Sequence, residues 1–198
     1  AALMDRFEER GYFDHDTDKI FLKYELNNDR IVDVGDADVV PADVEGTFKN
    51  ITNLTRMVLD AGAMPVVLGG DHAITFPVVR AYNKPLHVVH FDAHIDYSPF
   101  VHGYQYTNSH AFRHIHHMDH VESLTQVGIR SIRNNKAWID DSINDGNRVI
   151  GMKEFGEKGP NGMTELVPKD AQIYVSIDID VLDLPLVPGC VSAEPNGM

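Results

Sequence analysis

Short apolar runs of strand length recur along this 198-residue chain, separated by segments of helical spacing, and this alternation constrains the fold more than any other feature. The runs at residues 30–34, 65–68, 86–91, 124–129, 148–152 and 173–179 are mostly too uniformly apolar for a sheet with one wet face. They predict a mainly parallel sheet covered by helices on both sides, a three-layer α/β/α fold. In residues 43–61, Val44, Phe48, Ile51, Leu54 and Val58 follow one face at steps of three or four, so a helix is expected there, stopped by Gly62. Shorter helices are expected over 74–82, with Pro77 in the first turn, and over 134–143. The stretch GEKGPNG at 156–162 reads as a loop. No repeat or low-complexity tract interrupts the pattern, and a single α/β domain across 1–198 is the expectation. The chain opens on Ala1 without a methionine and stops after the turn-rich PNGM, so it reads as truncated at both ends, with the C-terminal part of its domain missing.

Composition narrows the function classes. A formal net charge of −13 repels phosphate backbones and anionic lipid, so nucleic acid and membrane surfaces are not expected partners. No run of eighteen apolar residues is present, which argues against a membrane-spanning helix. One cysteine, Cys190, cannot form an intrachain disulfide, and the first residues mix charges too early for a signal peptide. A reducing, cytoplasmic setting is therefore expected. Histidine, at 11 residues, is unusually frequent for a side chain that titrates near neutrality and binds metals.

Three of the apolar runs are followed by carboxylates and imidazoles. Gly69, Gly70, Asp71 and His72 follow the second run; Asp92, His94 and Asp96 follow the third; Asp178 and Asp180 close the last. In an extended segment, residues two apart point the same way, so Asp92, His94 and Asp96 can face one point and Asp178 and Asp180 can face it from another strand. Four carboxylates cannot converge uncompensated, because like charges at close range force protonation. Cations are required between them. Mixed oxygen and nitrogen donors suit manganese, and six ligands are too many for one open ion unless some bridge two. Helix capping alone does not account for paired carboxylates at successive run ends.

Other residues carry weaker signals. His114, His116, His117 and His120 are read as a solvated face, since beyond Asp119 no carboxylate or cysteine pattern fixes a metal geometry there. Cys190 is expected to be a small buried apolar residue, and Trp138 core or surface. Glu194 is read either as pocket wall or as solvated loop.

The segments GGDHAIT (69–75), HFDAHID (90–96) and SIDIDVLD (176–183) resemble the three signature motifs of the ureohydrolase family, which includes arginases and agmatinases. DVGD (33–36), AGAMPVVL (61–68) and QVGIR (126–130) extend the resemblance over nearly the whole chain. It implies that His72, Asp92, Asp96 and Asp178 hold one Mn2+ ion and Asp92, His94, Asp178 and Asp180 a second, with Asp92 and Asp178 bridging. It also implies the reaction: a hydroxide between the ions attacks a guanidinium carbon, releasing urea and an amine, while Asp96 relays the proton to the leaving nitrogen.

The chain departs from the family pattern in places. Family members usually carry a histidine acid after the second motif, but the ungapped register reaches Asn108. His110, two residues on, is the expected substitute, with His102 more distant, and Asn108 and Ser109 are then expected to contact substrate. Leu184 stands where the family usually has proline, ahead of Pro185, a change confined to the turn. The glutamate that clamps the guanidinium in the family falls beyond Met198.

GCVSAEP (189–195) resembles agmatinase-like members, which makes agmatine the first expected substrate. Guanidinobutyrate, guanidine and formiminoglutamate are the alternatives, and the resemblance implies a trimer or hexamer. The rival from another class is a catalytically silent metal-binding homologue, motivated by Asn108. A metal-dependent deacetylase on a related fold is disfavoured, because two ligand sets exceed what one zinc needs.

Overall fold

A parallel strand buried on both faces needs apolar side chains at every position, and residues 86–91 (LHVVHF) come close to that requirement. In the structure, a computed structural model that describes residues 2–198, they form the central strand of a four-stranded parallel sheet. The described residues divide into two compact units, one running through Asp38 and one spanning Val39–Met198. All three ligand clusters lie in the second.

The first unit holds helix α1 (Ala2–Arg10), the antiparallel pair β1 (Tyr12–Asp14) and β2 (Lys19–Phe21), and helix α2 (Lys23–Asn27). Asn27 Nδ2 donates to the Glu8 carbonyl at 3.0 Å and ties α2 to α1. The strand expected at 30–34 does not form. Instead the Asp33 carboxylate accepts the Gly35 N–H at 2.9 Å, and Gly35 takes φ +80°, so a local side-chain turn replaces the ladder.

The second unit begins with α3 (Val44–Asp60). Asp43 caps it by accepting from Gly46 N at 2.8 Å, and Gly62 at φ +74° ends it, close to the expected limits. Its buried face is Phe48, Thr52 and Thr55; Phe48 meets the Phe76 and Tyr106 rings edge-on, and Thr52 Oγ1 bonds the Pro77 carbonyl. Residues 65–68, expected as a strand, form no ladder among the described residues, with Met64, Val66 and Leu68 largely exposed. A 3-10 turn over His72–Ile74 then leads into α4 (Thr75–Val79) with Pro77 in its first turn.

The sheet follows: β3 (Leu86–Phe91), α5 (Ala111–His116), β4 (Val121–Ile129), α6 (Lys136–Asn144), β5 (Arg148–Gly151), α7 (Met152–Gly162) and β6 (Ile173–Ile177). Strand order is β5-β4-β3-β6, all parallel, with Val88 level with Leu124 on one side and Tyr174 on the other. The period of two sorts the side chains of β3 between layers. Leu86 and Val88 join Val79, Phe112, Ile115 and Trp138 on one side, while Val89 and Phe91 join Val127, Ile150 and Phe155 on the other. Each fully buried aliphatic chain there contributes about 1.5–3 kcal/mol.

The loop expected at 156–162 is instead the C-terminal part of α7, broken at Gly159 (φ +64°). An i,i+4 pair between Glu154 and Lys158 at 2.9 Å and the packing of Phe155 outweigh the turn-forming composition. The strand expected over 173–179 stops at Ile177, because the Asp178 carboxylate accepts from Asp180 N at 3.0 Å and turns the chain into a 3-10 segment, Ile179–Val181. Among the described residues no helix is long and apolar enough to cross a membrane.

Candidate metal centre

Strands β3 and β6 end side by side. Asp178 N donates to the Phe91 carbonyl at 2.8 Å and Asp92 N to the Val127 carbonyl at 3.0 Å, so the two aspartates leave the sheet at adjacent points of its carboxyl edge. Gly128 makes room for this: it sits at φ +99°, and a Cβ there would lie 2.7 Å from Val181 and 2.9 Å from the Asp92 carbonyl. Beyond the strands, turns rather than pleat alternation aim the side chains. His94 N donates to Asp92 Oδ1 at 2.6 Å, and Asp96 is held at φ +41°, a strained conformation for a non-glycine residue.

His72 enters from the other side. Its Nε2 pairs with Ser176 Oγ of β6 at 2.8 Å, which points Nδ1 at three carboxylates: Asp92 Oδ2 at 3.0 Å, Asp178 Oδ2 at 3.2 Å and Asp96 Oδ2 at 3.4 Å. The side chain is 6% exposed, yet Nδ1 makes no aligned hydrogen bond among the described residues. A buried ring nitrogen facing three carboxylate oxygens is a donor set for a cation. A second set adjoins it: His94 Nδ1 lies 3.0 Å from Asp180 Oδ2 and 3.4 Å from Asp92 Oδ1. Asp180 is fixed by Ala93 N and by Ser192 Oγ, which donates at 2.8 Å. Asp92 thus faces both imidazoles, one from each oxygen.

The electrostatics show how strongly positive charge is required. Burial opposes the His72 imidazolium, but the Asp178, Asp92 and Asp96 carboxylates override it and push its pKa up to about 12. Burial likewise opposes His94, and Asp180 with Asp92 lifts it to about 10. Burial would raise Asp92, but contact with His72, His90 and His94 holds it well below the usual carboxylate range. Burial together with the neighbouring Asp92 charge pushes Asp96 up to about 6, against the pull of His72. Without a metal, imidazole protons supply the compensating charge. The residues present fit divalent cations in that role.

Sequence reasoning missed His90. Its Nε2 lies 2.8 Å from Asp92 Oδ2 and its Nδ1 3.1 Å from Gln126 Nε2, whose Oε1 accepts from Ser142 Oγ at 2.7 Å. Gln126 donating to Nδ1 leaves the Nε2 proton for Asp92. Burial drives the His90 pKa down to about 4, so it stays neutral and orients the carboxylate. The available signal was its place two residues before Asp92 on a buried strand.

A cavity of about 210 Å3 opens over the centre. Asp96, Asp178, Asp180 and His94 form its floor, Asn108, Ser109 and Trp138 line its wall, and Arg133 stands among the lining residues. His110 is not among them: it is buried, with Nδ1 2.7 Å from Thr107 Oγ1 and its ring beside Phe100. His102 is exposed, at φ +52°. Glu194 accepts from Ser131 Oγ at 2.5 Å and lies 3.7 Å from His94 Nε2, beside the centre. Cys190 is half-buried, 3.7 Å from Ser192 Oγ. The histidines expected on a solvated face include three half-buried ones with defined partners. His114 stacks on Phe76 at 4.3 Å, His116 pairs with Asn147, and His120 with the Val79 carbonyl. Aromatic packing holds His114, and hydrogen bonds to Asn147 and to the Val79 carbonyl hold His116 and His120.

The sequence model of the arginase family matches residues 6–198. The chain belongs to the arginase family. Among arginase-family relatives, a guanidinopropionase of Pseudomonas aeruginosa is 37% identical over 178 residues, covering 85% of this chain and 56% of the relative. Proclavaminate amidinohydrolase of Streptomyces clavuligerus is 33% identical over 175 residues, covering 84% and 56%. The crystal structure of formimidoylglutamase from Bacillus subtilis aligns with a TM-score of 0.77 at 28% identity, covering 84% of this chain and 55% of that one. The chain spans little more than half the length of these arginase-family relatives.

Proposed function

We propose that the protein is a binuclear manganese amidinohydrolase that cleaves a guanidino compound to urea and an amine. The observation that carries this reading is the convergence on Asp92 of His72 Nδ1 and His94 Nδ1 from opposite sides, each within 3.4 Å of carboxylate oxygens. His72, Asp92, Asp96 and Asp178 would hold one ion and Asp92, His94, Asp178 and Asp180 the other. When bound, two such ions make a nucleophile available near neutral pH and offset negative charge in the transition state.

The chain's own residues do the rest. Neutral His90 and the Gln126 amide keep the Asp92 carboxylate in one orientation, so the two ligand sets stay in register. Asp96 stands on the cavity floor, where a carboxyl oxygen can move a proton to the leaving nitrogen. Asn108 carries no acidic proton, and its amide with the Ser109 hydroxyl offers hydrogen bonds to the substrate from the wall. His110, bonded to Thr107 outside the cavity lining, can act as the acid only after the loop shifts. Agmatine, guanidinobutyrate and guanidine are the guanidino substrate candidates, with formiminoglutamate, which would release formamide in place of urea, as the alternative; relatives named for guanidinopropionate or formimidoylglutamate hydrolysis support this range.

The test is product release by the full-length protein loaded with manganese against these compounds, urea from the guanidino compounds and formamide from formiminoglutamate, with a metal-stripped control. Metal-dependent urea is expected from at least one guanidino compound, and formamide from formiminoglutamate alone would replace the guanidino reading with the formimino one. The second reading, a catalytically silent metal-binding homologue, draws on Asn108 in the cavity wall. It predicts two bound ions and a raised melting temperature with neither urea nor formamide from any substrate, which would overturn the first.

A further inference from the structure

The residues lining the cavity over the centre carry opposite charges: the aspartates Asp96, Asp178 and Asp180 on the floor, and Arg133 elsewhere in the lining. Arg133 lies in the loop between β4 and α6, three residues beyond another arginine of different behaviour. Arg130 is committed to the backbone: its Nη2 donates to the carbonyls of Asp180, Leu182 and Glu194, and its Nε to that of Pro195. It staples the 180–195 segment. Arg133 is 58% exposed, with Nη2 3.3 Å from the Ser192 carbonyl and Nε 3.5 Å from Glu194 Oε1. Its own N–H is held by Ser131 Oγ at 3.1 Å, so the loop beneath it is pinned. Two of five guanidinium donor positions are thereby engaged, and the fork that remains has the planar shape that pairs with a carboxylate through two bonds.

We propose that Arg133 is a specificity-determining residue that selects guanidino compounds whose far end bears a carboxylate, the ω-guanidino acids, over those that end in an amine. This rests on the amidinohydrolase reading, which sets the substrate's guanidinium on the cavity floor and turns its tail toward the solvent side. There a carboxylate tail gains a charge-assisted bidentate partner, and an ammonium tail meets a like charge. The net charge of −13 favours cations at long range, but a contact pair in the cavity decides between substrates of similar size. Glu194 is the group that could reverse the preference. Its Oε1 already accepts from Ser131 and lies 3.5 Å from Arg133 Nε and 3.7 Å from His94 Nε2, so it faces cationic partners on two sides and meets Arg133 at Nε, away from Nη1. On this proposal guanidinobutyrate ranks ahead of agmatine, the first substrate expected from the sequence.

The experiment compares guanidinobutyrate with agmatine on the manganese-loaded full-length protein, by kcat/KM for urea release and by calorimetric Kd. The wild type should favour guanidinobutyrate in both. Arg133→Ala should lower its kcat/KM by about tenfold or more, mainly through KM, and Arg133→Lys should recover part of the loss. Arg133→Glu should reverse the order of the two substrates. A wild-type preference for agmatine, or equal losses for both substrates in the variants, would overturn the proposal. If no guanidino compound yields urea, the amidinohydrolase reading fails and the calorimetric order decides alone. Tighter guanidinobutyrate binding that inverts in Arg133→Glu upholds selection by Arg133; equal, absent or agmatine-favouring binding removes it.

Discussion

Two segments of this chain share one sequence plan and differ in structure. Residues 65–72 and 86–96 each run from apolar residues into a cluster of ligating side chains. The second becomes β3, flanked by β4 and β6 and packed between helices, with Leu86 at 0% exposure. The first stays unpaired among the described residues, with Leu68 83% exposed. Both still deliver ligands to the same point. Asp92, His94 and Asp96 leave a strand end fixed by the sheet, whereas His72 is positioned by the Asp71 cap on Ala73 N and by its own bond to Ser176. A ligand therefore needs an anchored turn, and a strand is one way among others to supply the anchor.

The sharpest way to break this comparison is at its shared residue. Asp92→Asn removes the oxygen charge that faces both imidazoles, and it should cost both metal ions and, with them, more than about 100-fold in kcat, since even outer partners of a metal site cost 10–100-fold. Metal content per chain and urea release check it; two retained ions would show that Asp92 does not bridge. The packing side of the comparison is next. Leu86→Ala should destabilise by about 2–5 kcal/mol, while Leu68→Ala should stay within about 0.5 kcal/mol, both read from denaturant midpoints. A large cost at Leu68 would mean that residues 65–68 acquire a sheet partner in solution.

A smaller effect separates the two kinds of anchor. His90→Ala leaves Asp92 without its buried donor, and Ser176→Ala leaves His72 without the hydroxyl that aims it. Each should weaken metal binding by about 10–100-fold, with the larger loss at His90, which is fully buried and backed by the Gln126–Ser142 chain. Competition with a chelator measures both; equal losses would erase the distinction between a strand-borne and a turn-borne ligand.

Much of this was legible in the sequence. The apolar runs that became β3, β4, β5 and β6 were visible because fully buried parallel strands leave continuous apolar stretches, and α3 because Asp43 and Gly62 mark its ends. Residues 30–34 and 65–68 carry the same local signal without a ladder partner among the described residues, a nonlocal fact that no window of sequence contains. Convergence of Asp178 with Asp180 was anticipated from pleat alternation, but an aspartate turn produces it, because β6 ends one residue earlier. His90 was hidden by its setting in an apolar strand. Arg133 was hidden because the pairing of a loop residue with the 192–194 segment is set by tertiary structure.

The last expected effect concerns pH, and its sign distinguishes metal-free from metal-loaded protein. In the metal-free state His94 is raised to about 10 and His72 to about 12, both above the ordinary histidine value of 6.5. A group raised on folding binds its proton more tightly in the native state, so its contribution to stability is whole below pH 6.5 and declines as pH rises toward the folded value. Asp96, raised from 3.8 to about 6, acts with the same sign at lower pH, losing its contribution between those values. The metal-free melting temperature should therefore fall steadily from about pH 6.5 to 10, and His94→Asn should flatten part of that slope. Metal ligation needs neutral imidazoles and ionised carboxylates, so loading with manganese releases these protons and should abolish the decline. An identical slope with and without metal would place the titrating protons elsewhere, and the two ligand segments would no longer share one charge-compensated centre.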